Sequence, residues 1–267
     1  MKKILVVILI LIAVALLVIV RPMVMTDNQG SQRQVRAKFA VLSDTHSDSE
    51  NTRQALKQAR ELGAKFIMNT GDLTKVGSSE ELNEAKEDFE SIGLAYYLIP
   101  GDHDIYNSAG TGNFQEIIGK NYYATDIDGL HLISLDTSDT SVGIDSTQME
   151  WLKADLEQAQ GELTFIFMHL PIFHPTSPRT IWEKGGNNLE VKKQTEEVIE
   201  LLKGKGILAT FAGDHHFSSN YTEPESGVKM YIAGAATRER NLQKPRFDMV
   251  TVYNDKSFEV EEVIIQE

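Results

Sequence analysis

Apolar residues from Lys38 onward form short runs that are separated by amphipathic segments. The runs "KFAVLS", "KFIMNT" and "AYYLIP" have the length of buried strands, and the segments between them, 50–62 and 79–91, carry apolar residues at helical spacing. This strand–helix–strand–helix–strand order predicts parallel strands of one sheet, because a parallel pair needs a crossover connection. The first part of the domain is therefore predicted to be α/β.

The same alternation continues to the end of the chain. "NYYATDIDGLHLISLDT" predicts a hairpin that turns at Asp128-Gly129. Helices are predicted at 146–159 and 189–203, and strands in "LTFIFMH", "GILATFAG", "VKMYIAG", "RFDMVTVYN" and "SFEVEEVII". There are no internal repeats, so we predict one domain over 38–267.

The N-terminus differs from the rest of the chain because two lysines precede an unbroken apolar run from Ile4 to Val20. As a helix this run spans roughly 26 Å at ~1.5 Å per residue, near the lower limit for a bilayer core of ~30 Å. The positive-inside rule then predicts a cytoplasmic N-terminus with the domain outside. No A-x-A spacing of small residues follows the run, which favours an uncleaved anchor at 1–21 and a stalk at 22–37. We expect a single-pass protein of the cell membrane; secretion after signal cleavage is the alternative.

The amino-acid composition disfavours some classes of function and of metal site. The chain is 41% hydrophobic and 24% charged, which is typical of a folded protein. Three of the 26 basic residues lie in the first 21 positions, whereas all 39 acidic residues follow them, so the domain is strongly acidic and nucleic acid is not expected as its main partner. The absence of cysteine excludes thiolate ligands, and a metal must be held by nitrogen and oxygen.

Polar side chains with metal-binding chemistry follow the predicted strands at the points where they end. Five of the seven histidines lie there, next to acidic residues or glycines. Because α/β sheets place their sites at the carboxyl ends of strands, these side chains are expected to converge. More ligands than one ion needs suggest two divalent ions that share a carboxylate. The residues are Asp44, His46, Asp72, Asp102, His103, Asp104, His169, Asp214, His215 and His216.

The ordered motifs "DTH", "GD", "GDHD", "H" and "GDHH" resemble the D-x-H, G-D, G-N-H-[DE], H and G-H-x-H series of the calcineurin-like metallophosphoesterases. The resemblance extends from about Lys38 to the C-terminus. It implies a four-layer α/β/β/α sandwich of two mixed sheets flanked by helices, here behind the N-terminal transmembrane helix.

The resemblance also implies roles for individual residues. Asp72 bridges the two ions. His103 is a general acid or transition-state stabiliser, and Asp104 orients its imidazole. The implied ligands of the first ion are Asp44, His46 and His216, and His169 is an implied ligand of the second.

Two positions depart from the family pattern. Asp102 replaces an asparagine and Asp214 replaces a histidine, and both family residues bind the second ion. Carboxylates can serve as ligands, so we predict that Asp102 and Asp214 do the same. The added negative charge favours manganese, magnesium or iron over zinc, although zinc is also possible. A second site that no longer binds metal is the alternative.

Several residues have alternative interpretations. His215 is either a substrate contact or an exposed neighbour of the site. Arg238 and Arg240 either bind a phosphate or belong to a surface loop. His174 is expected to face solvent, and His131 is expected to be structural.

These expectations define a membrane-anchored, extracytoplasmic phosphoesterase that acts on phosphomonoesters or phosphodiesters, either small molecules or components of the cell envelope. Two divalent ions would bind the phosphoryl oxygens and activate water, while His103 assists the leaving oxygen. The alternative is a non-catalytic metal-binding or surface-binding module that keeps the fold.

Overall fold

The computed structural model of the protein describes residues 33–266. Two β-sheets and the helices between their strands make up this part of the chain. The strands are β1 (Val35–Leu42), β2 (Phe66–Asn69), β3 (Ala95–Leu98), β4 (Tyr123–Ile127), β5 (Leu130–Ser134), β6 (Leu163–Phe167), β7 (Ile207–Ala212), β8 (Ser219–Thr222), β9 (Lys229–Ile232), β10 (Arg246–Tyr253) and β11 (Phe258–Ile264). The helices are α1 (Ser49–Glu61), α2 (Ser79–Glu90), α3 (Gly112–Ile117), α4 (Ser146–Gln158), α5 (Ile181–Lys184) and α6 (Leu189–Leu202).

Both sheets are mixed. The first has the strand order β11-β10-β1-β2-β3, and the second has the order β4-β5-β6-β7-β9-β8. Strands β1, β2 and β3 are parallel, as the alternating pattern predicts, whereas β10 runs antiparallel to β1. In the second sheet β5, β6, β7 and β9 are parallel. Each sheet therefore has an edge at which several strands end together.

The sheets pack face to face through a layer of aromatic side chains. Phe39 and Phe66 of the first sheet stack with ring centroids 4.8 Å apart. Phe39 also meets Phe165 of the second sheet edge to face, with centroids 5.6 Å apart. Each fully buried phenylalanine contributes roughly 1.5–3 kcal/mol through the hydrophobic effect. This aromatic layer holds the two sheets together.

The outer faces of the sheets are covered by helices. Leu56 of α1 and Phe89 of α2 are buried against the first sheet, and Leu152 of α4 and Val198 of α6 are buried against the second. The order of layers is helix, sheet, sheet, helix. The predicted arrangement of two mixed sheets flanked by helices is confirmed.

Local sequence signals fix where the helices begin. Ser78 and Glu81 form a reciprocal capping box at the start of α2, because each side chain accepts a hydrogen bond from the other residue's backbone N–H. Asp145 caps α4 by accepting a hydrogen bond from the backbone N–H of Gln148. Because such caps depend on a few adjacent residues, both helices begin where the sequence predicts.

The predicted hairpin is confirmed. Strands β4 and β5 pair antiparallel, and Asp128 and Gly129 turn the chain with φ angles of 52° and 73°. His131 lies within β5, where its Nδ1 is 2.7 Å from Asp126 Oδ1 and its Nε2 is 2.8 Å from Asp155 Oδ2. Although burial disfavours a charged imidazole, these carboxylates raise the pKa of His131. His131 thus joins the hairpin to α4 by ion pairs, as a structural residue would.

The N-terminal predictions fall largely outside the described residues. The proposed anchor at 1–21 lies wholly outside them, as does most of the stalk at 22–37. Strand β1 begins at Val35, three residues before the expected start of the domain. No helix within residues 33–266 is long and apolar enough to cross a lipid bilayer.

Candidate metal and phosphoester site

A group of four side chains lies at the carboxyl edge of the first sheet, where β1 and β2 end. Nε2 of His46 and Nε2 of His216 are 3.0 Å apart. Asp44 Oδ1 is 3.4 Å from Nε2 of His216, and Asp72 Oδ2 is 3.6 Å from Nε2 of His46. Each residue thus directs one ligand atom to a common point. We call this group the four-ligand cluster.

A second group shares Asp72 with the first. Nε2 of His169 is 3.3 Å from Asp72 Oδ1 and 3.1 Å from Asp102 Oδ1. His169 comes from the end of β6 and is fully buried. These three residues also offer ligand atoms to one point, so Asp72 faces both groups with different oxygens. We call this group the three-ligand cluster.

The atoms of both clusters fit divalent ions. Asp44 Oδ1 is buried and has no hydrogen-bond partner within the described part of the chain, although it faces the four-ligand cluster. Burial opposes ionisation of Asp44, but the imidazoles around it, beginning with His216, lower its pKa to about 2. An ionised, unpartnered oxygen beside imidazole nitrogens is the environment that a cation stabilises.

The three-ligand cluster also fits a divalent ion. Nδ1 of His169 is 2.8 Å from the carbonyl oxygen of Thr70, to which it can donate its proton. The lone pair of Nε2 then faces the carboxylates of Asp72 and Asp102, and this arrangement is repulsive unless a positive charge lies between them. Burial lowers the pKa of His169, but the same two carboxylates outweigh burial and raise the pKa well above its ordinary value. The cluster therefore favours a proton or a metal ion at this point.

His103 lies beside both clusters. Its Nδ1 is 2.6 Å from the carbonyl oxygen of Lys75, which fixes the ring and leaves Nε2 available for a ligand in the cavity. Its backbone N–H donates to Asp72 Oδ1 at 3.0 Å, and its ring lies 4.7 Å from the ring of His46. The imidazole is therefore held at the edge of the two ligand clusters.

The expected contact between Asp104 and that imidazole needs correction. The buried carboxylate of Asp104 accepts hydrogen bonds from the backbone N–H groups of Leu73, Thr74 and Gly101, at 2.8 to 3.0 Å. Burial and the neighbouring charge of Asp72 raise the pKa of Asp104 to about 7. Because its oxygens bind the loop backbone, Asp104 positions the turns that carry Asp72 and His103, and the Lys75 carbonyl orients the ring.

The backbone at the site is strained. Asp44, His46, Asp72, Asp214 and His216 all have positive φ angles, between 45° and 65°, in the left-handed region that non-glycine residues seldom adopt. Such residues cluster at functional sites, where the surrounding structure holds them in place.

Close packing explains why residue 101 in the motif "GDHD" is a glycine. A Cβ atom on Gly101 would lie 2.1 Å from Asp72 Oδ1 and 2.3 Å from the backbone nitrogen of Asp72. The carboxylate of Asp72 can therefore reach both clusters only because residue 101 has no side chain.

A cavity of about 340 Å³ opens over the clusters. Its walls carry several cationic or potentially cationic side chains as well as metal-binding residues. The lining residues are Asp72, Asp102, His103, Arg179, Lys184, Asp214, His215, His216 and Arg240. The three aspartates balance the three basic side chains, so bound divalent ions would make the cavity favourable for an anionic ligand.

Asp214 lies on the cavity wall in a network of ion pairs. Its Oδ2 accepts a hydrogen bond from Arg179 Nε and its Oδ1 accepts one from Arg179 Nη2, both at 2.9 Å. Lys184 Nζ also donates to Asp214 Oδ1, and it lies 2.9 Å from Asp102 Oδ2. Burial lowers the pKa of Lys184, but Asp214 and Asp102 raise it above its ordinary value, so the ammonium stays charged. The assignment of Asp214 as a metal ligand stays a prediction, and its carboxylate is already bound by two cations.

Some of the proposed substrate contacts line the cavity and others do not. His215 lines the cavity, where its Nε2 is 2.9 Å from the carbonyl oxygen of Arg179. Of the two arginines considered, Arg240 lines the cavity, and the backbone N–H of Arg238 lies 3.5 Å from Asp48 Oδ2. His174 is half-buried; its Nδ1 accepts a hydrogen bond from the backbone N–H of Ser177 at 2.8 Å, which stabilises a loop.

Arg179 and Lys184 were not predicted from the sequence. Both follow His169 in the segment that leads from β6 to α6. The available signal was indirect, since two extra carboxylates in a buried site require compensating cations.

Comparison with known proteins agrees with this geometry. The profile of the calcineurin-like phosphoesterases matches residues 37–218, which is more than half of the chain. The chain belongs to the calcineurin-like phosphoesterase family. This family depends on two metal ions, in line with the two clusters that share Asp72.

Individual relatives of this family member are distant. A probable glycerophosphodiester phosphodiesterase of Arcobacter nitrofigilis is 26% identical over 160 residues, which cover 57% of this chain and 56% of that protein. Tartrate-resistant acid phosphatase type 5 of Rattus norvegicus is 24% identical over 228 residues, which cover 72% of this chain and 66% of that protein. This chain therefore spans less than two thirds of the length of either curated relative.

The fold also matches solved structures. A dimetal phosphatase from Danio rerio superposes with a TM-score of 0.63 at 16% identity, and the match covers 87% of this chain and 100% of that structure. At this identity the likeness shows the fold, and the function of this calcineurin-like phosphoesterase must be argued from its site.

Proposed function

We propose that this protein is a metal-dependent phosphoesterase that hydrolyses phosphomonoesters or phosphodiesters. The observation that carries the proposal is the position of Asp72, whose two oxygens face the two candidate metal clusters beside a cavity that also contains basic side chains. Divalent ions held there would supply positive charge to phosphoryl oxygens and make a coordinated water more acidic. The extra carboxylates favour manganese, magnesium or iron over zinc.

The chain's own residues supply the remaining chemistry. His103 lines the cavity with Nδ1 donating to the Lys75 carbonyl, so in the imidazolium form its Nε2 carries a second proton that it can give to the leaving oxygen. Basic side chains of the cavity contact the anionic substrate, and His215 is a further candidate for this contact. Asp104 keeps the loops of Asp72 and His103 in register.

Chelation should abolish the activity. The full-length chain, purified in detergent and stripped with a chelator, is expected to lose hydrolysis of p-nitrophenyl phosphate or bis(p-nitrophenyl) phosphate. Added Mn²⁺, Mg²⁺ or Fe²⁺ should restore it, and the Asp72→Ala chain purified in parallel sets the background. Hydrolysis that survives chelation, or its absence with every metal and both substrates, would reject the proposed function.

The proposal extends to location. The run from Ile4 to Val20 supports a membrane anchor, and the lysines that precede it support a domain on the outer side, facing small or cell-envelope phosphoesters.

Protease added to intact cells or spheroplasts should therefore digest the domain while a cytoplasmic marker stays intact. Digestion of the domain only after the membrane is opened would reverse the proposed orientation.

A further inference from the structure

Two cations and two carboxylates form one compact group that shares Asp102 with the three-ligand cluster. Lys184 Nζ contacts Asp102 Oδ2 at 2.9 Å and also donates to Asp214 Oδ1. Arg179 holds both oxygens of Asp214 in a bidentate arrangement, the strongest form of this pair. Because Asp214 is only 2% exposed, its charge needs such partners.

The two carboxylates of this group are the two residues that depart from the family pattern. Asp102 and Asp214 replace an asparagine and a histidine of the motif series, and each adds one negative charge. Arg179 and Lys184 add one positive charge each at the same place. The two carboxylates that depart from the motif series are therefore paired with two cations that neutralise them.

The hydrogen bonds leave Asp214 little capacity for a metal ion. Both of its oxygens already accept from Arg179, and one also accepts from Lys184. Asp102 is divided, with Oδ1 toward His169 and Oδ2 toward Lys184. An ion in the three-ligand cluster would therefore share Asp102 with the ammonium group of Lys184. The positive charges of the ion and the ammonium would repel each other across that carboxylate.

We propose that Lys184 supplies, from this chain, part of the positive charge that a second divalent ion otherwise provides. The four-ligand cluster then binds one ion tightly, and the three-ligand cluster binds a second ion only weakly. This inference rests on the proposed function, since Lys184 is assigned to the same phosphoester site.

Lys184 is also placed to contact substrate. An ammonium has three donors, and the two carboxylates occupy two of them. Lys184 lines the same cavity as His103, so the third donor is available to an anionic phosphoryl oxygen. The ammonium would bind that oxygen as a point charge.

Metal stoichiometry tests the proposal without reference to activity. Calorimetric titration of the stripped, full-length protein with Mn²⁺ is expected to show one tight site and a second site at least about 100-fold weaker. Lys184→Met should tighten the second site at least about tenfold, because it frees Oδ2 of Asp102 and removes a positive charge beside the ion. Metal analysis after dialysis should then rise from about one to about two ions per chain for this variant.

Matched variants separate the local charge from general effects. Lys184→Arg keeps a cation at the position, so its second site should stay weak. Lys192→Met removes the same type of side chain from α6, where the ammonium lies over Trp182, and its titration should equal that of the unchanged protein. Lys184→Gln repeats the test if the methionine variant fails to fold.

The outcomes distinguish this proposal from the proposed function. Two ions of similar affinity in the unchanged protein, or an unaltered second site in both neutral Lys184 variants, would overturn the role of Lys184 while leaving a metal-dependent phosphoesterase intact. Failure of Mn²⁺ to bind even the four-ligand cluster would overturn both. One tight ion, with a second recovered only when the ammonium is removed, would establish the inference.

Discussion

Replacing Asp72 by alanine is expected to remove metal binding and activity together. Asp72 is the residue common to both clusters, with Oδ2 3.6 Å from His46 and Oδ1 3.3 Å from His169. Its loss takes a ligand from each cluster and leaves one carboxylate in each, Asp44 beside His216 and Asp102 beside His169. Residues that merely orient a ligand change metal affinity by about 10- to 100-fold, so the loss of a bridging ligand should cost at least about 100-fold.

Metal analysis and titration of Asp72→Ala with Mn²⁺ would measure this effect alongside turnover. Asp72→Asn should show a smaller loss, because an amide oxygen can still accept the hydrogen bond from the His103 backbone N–H. The matched control is Asp88→Ala, which removes another buried aspartate whose Oδ1 pairs with Arg53. That variant should lose stability but keep its metal, and ordinary metal content in Asp72→Ala would show that the bridging assignment is wrong.

His103→Ala should behave in the opposite way, with turnover reduced by roughly 10²- to 10⁴-fold and metal content unchanged. The reason is geometric, since Nδ1 of His103 is fixed by the Lys75 carbonyl and His103 belongs to neither cluster. Comparison of kcat with metal content in the same preparation measures both quantities.

The choice of substrate makes the test of His103 sharper. A general acid matters more when the leaving group is a poor one, so the loss should be larger for alkyl or phenyl phosphates than for nitrophenyl phosphate. His131→Gln is the control, because it removes a structural histidine held by Asp126 and Asp155 and should leave kcat and metal content as they were. An equal loss for every leaving group would mean that His103 binds the phosphoryl group rather than protonating the leaving oxygen.

The longer elements of the fold could be predicted because their signals are local. The runs that became β1, β2, β6 and β7 are apolar and continuous, and the helices that follow polar caps show helical spacing. Strand β8 (Ser219–Thr222) and helix α5 (Ile181–Lys184) were not predicted. Both are four residues long, too short for a periodic pattern, and the strand is stabilised by pairing with β9.

The convergence of the site could also be predicted, because topology brings strand ends to one edge. Side-chain partners across the site could not. Arg179 and Asp214 are separated by 35 positions along the chain, and no local pattern shows that they pair. The partner of the His103 ring could not be predicted either, because it is a backbone carbonyl, which every residue type has.

The left-handed backbone of the proposed metal ligands has a consequence for protein engineering. A non-glycine residue in this conformation costs roughly 1–2 kcal/mol relative to glycine, and Asp44, His46, Asp72 and His216 all adopt it. Exchanging any of them for glycine would relieve that cost while deleting a ligand. A laboratory selection for heat resistance alone would therefore enrich inactive variants at these positions, so directed evolution of this chain needs an activity screen in every round.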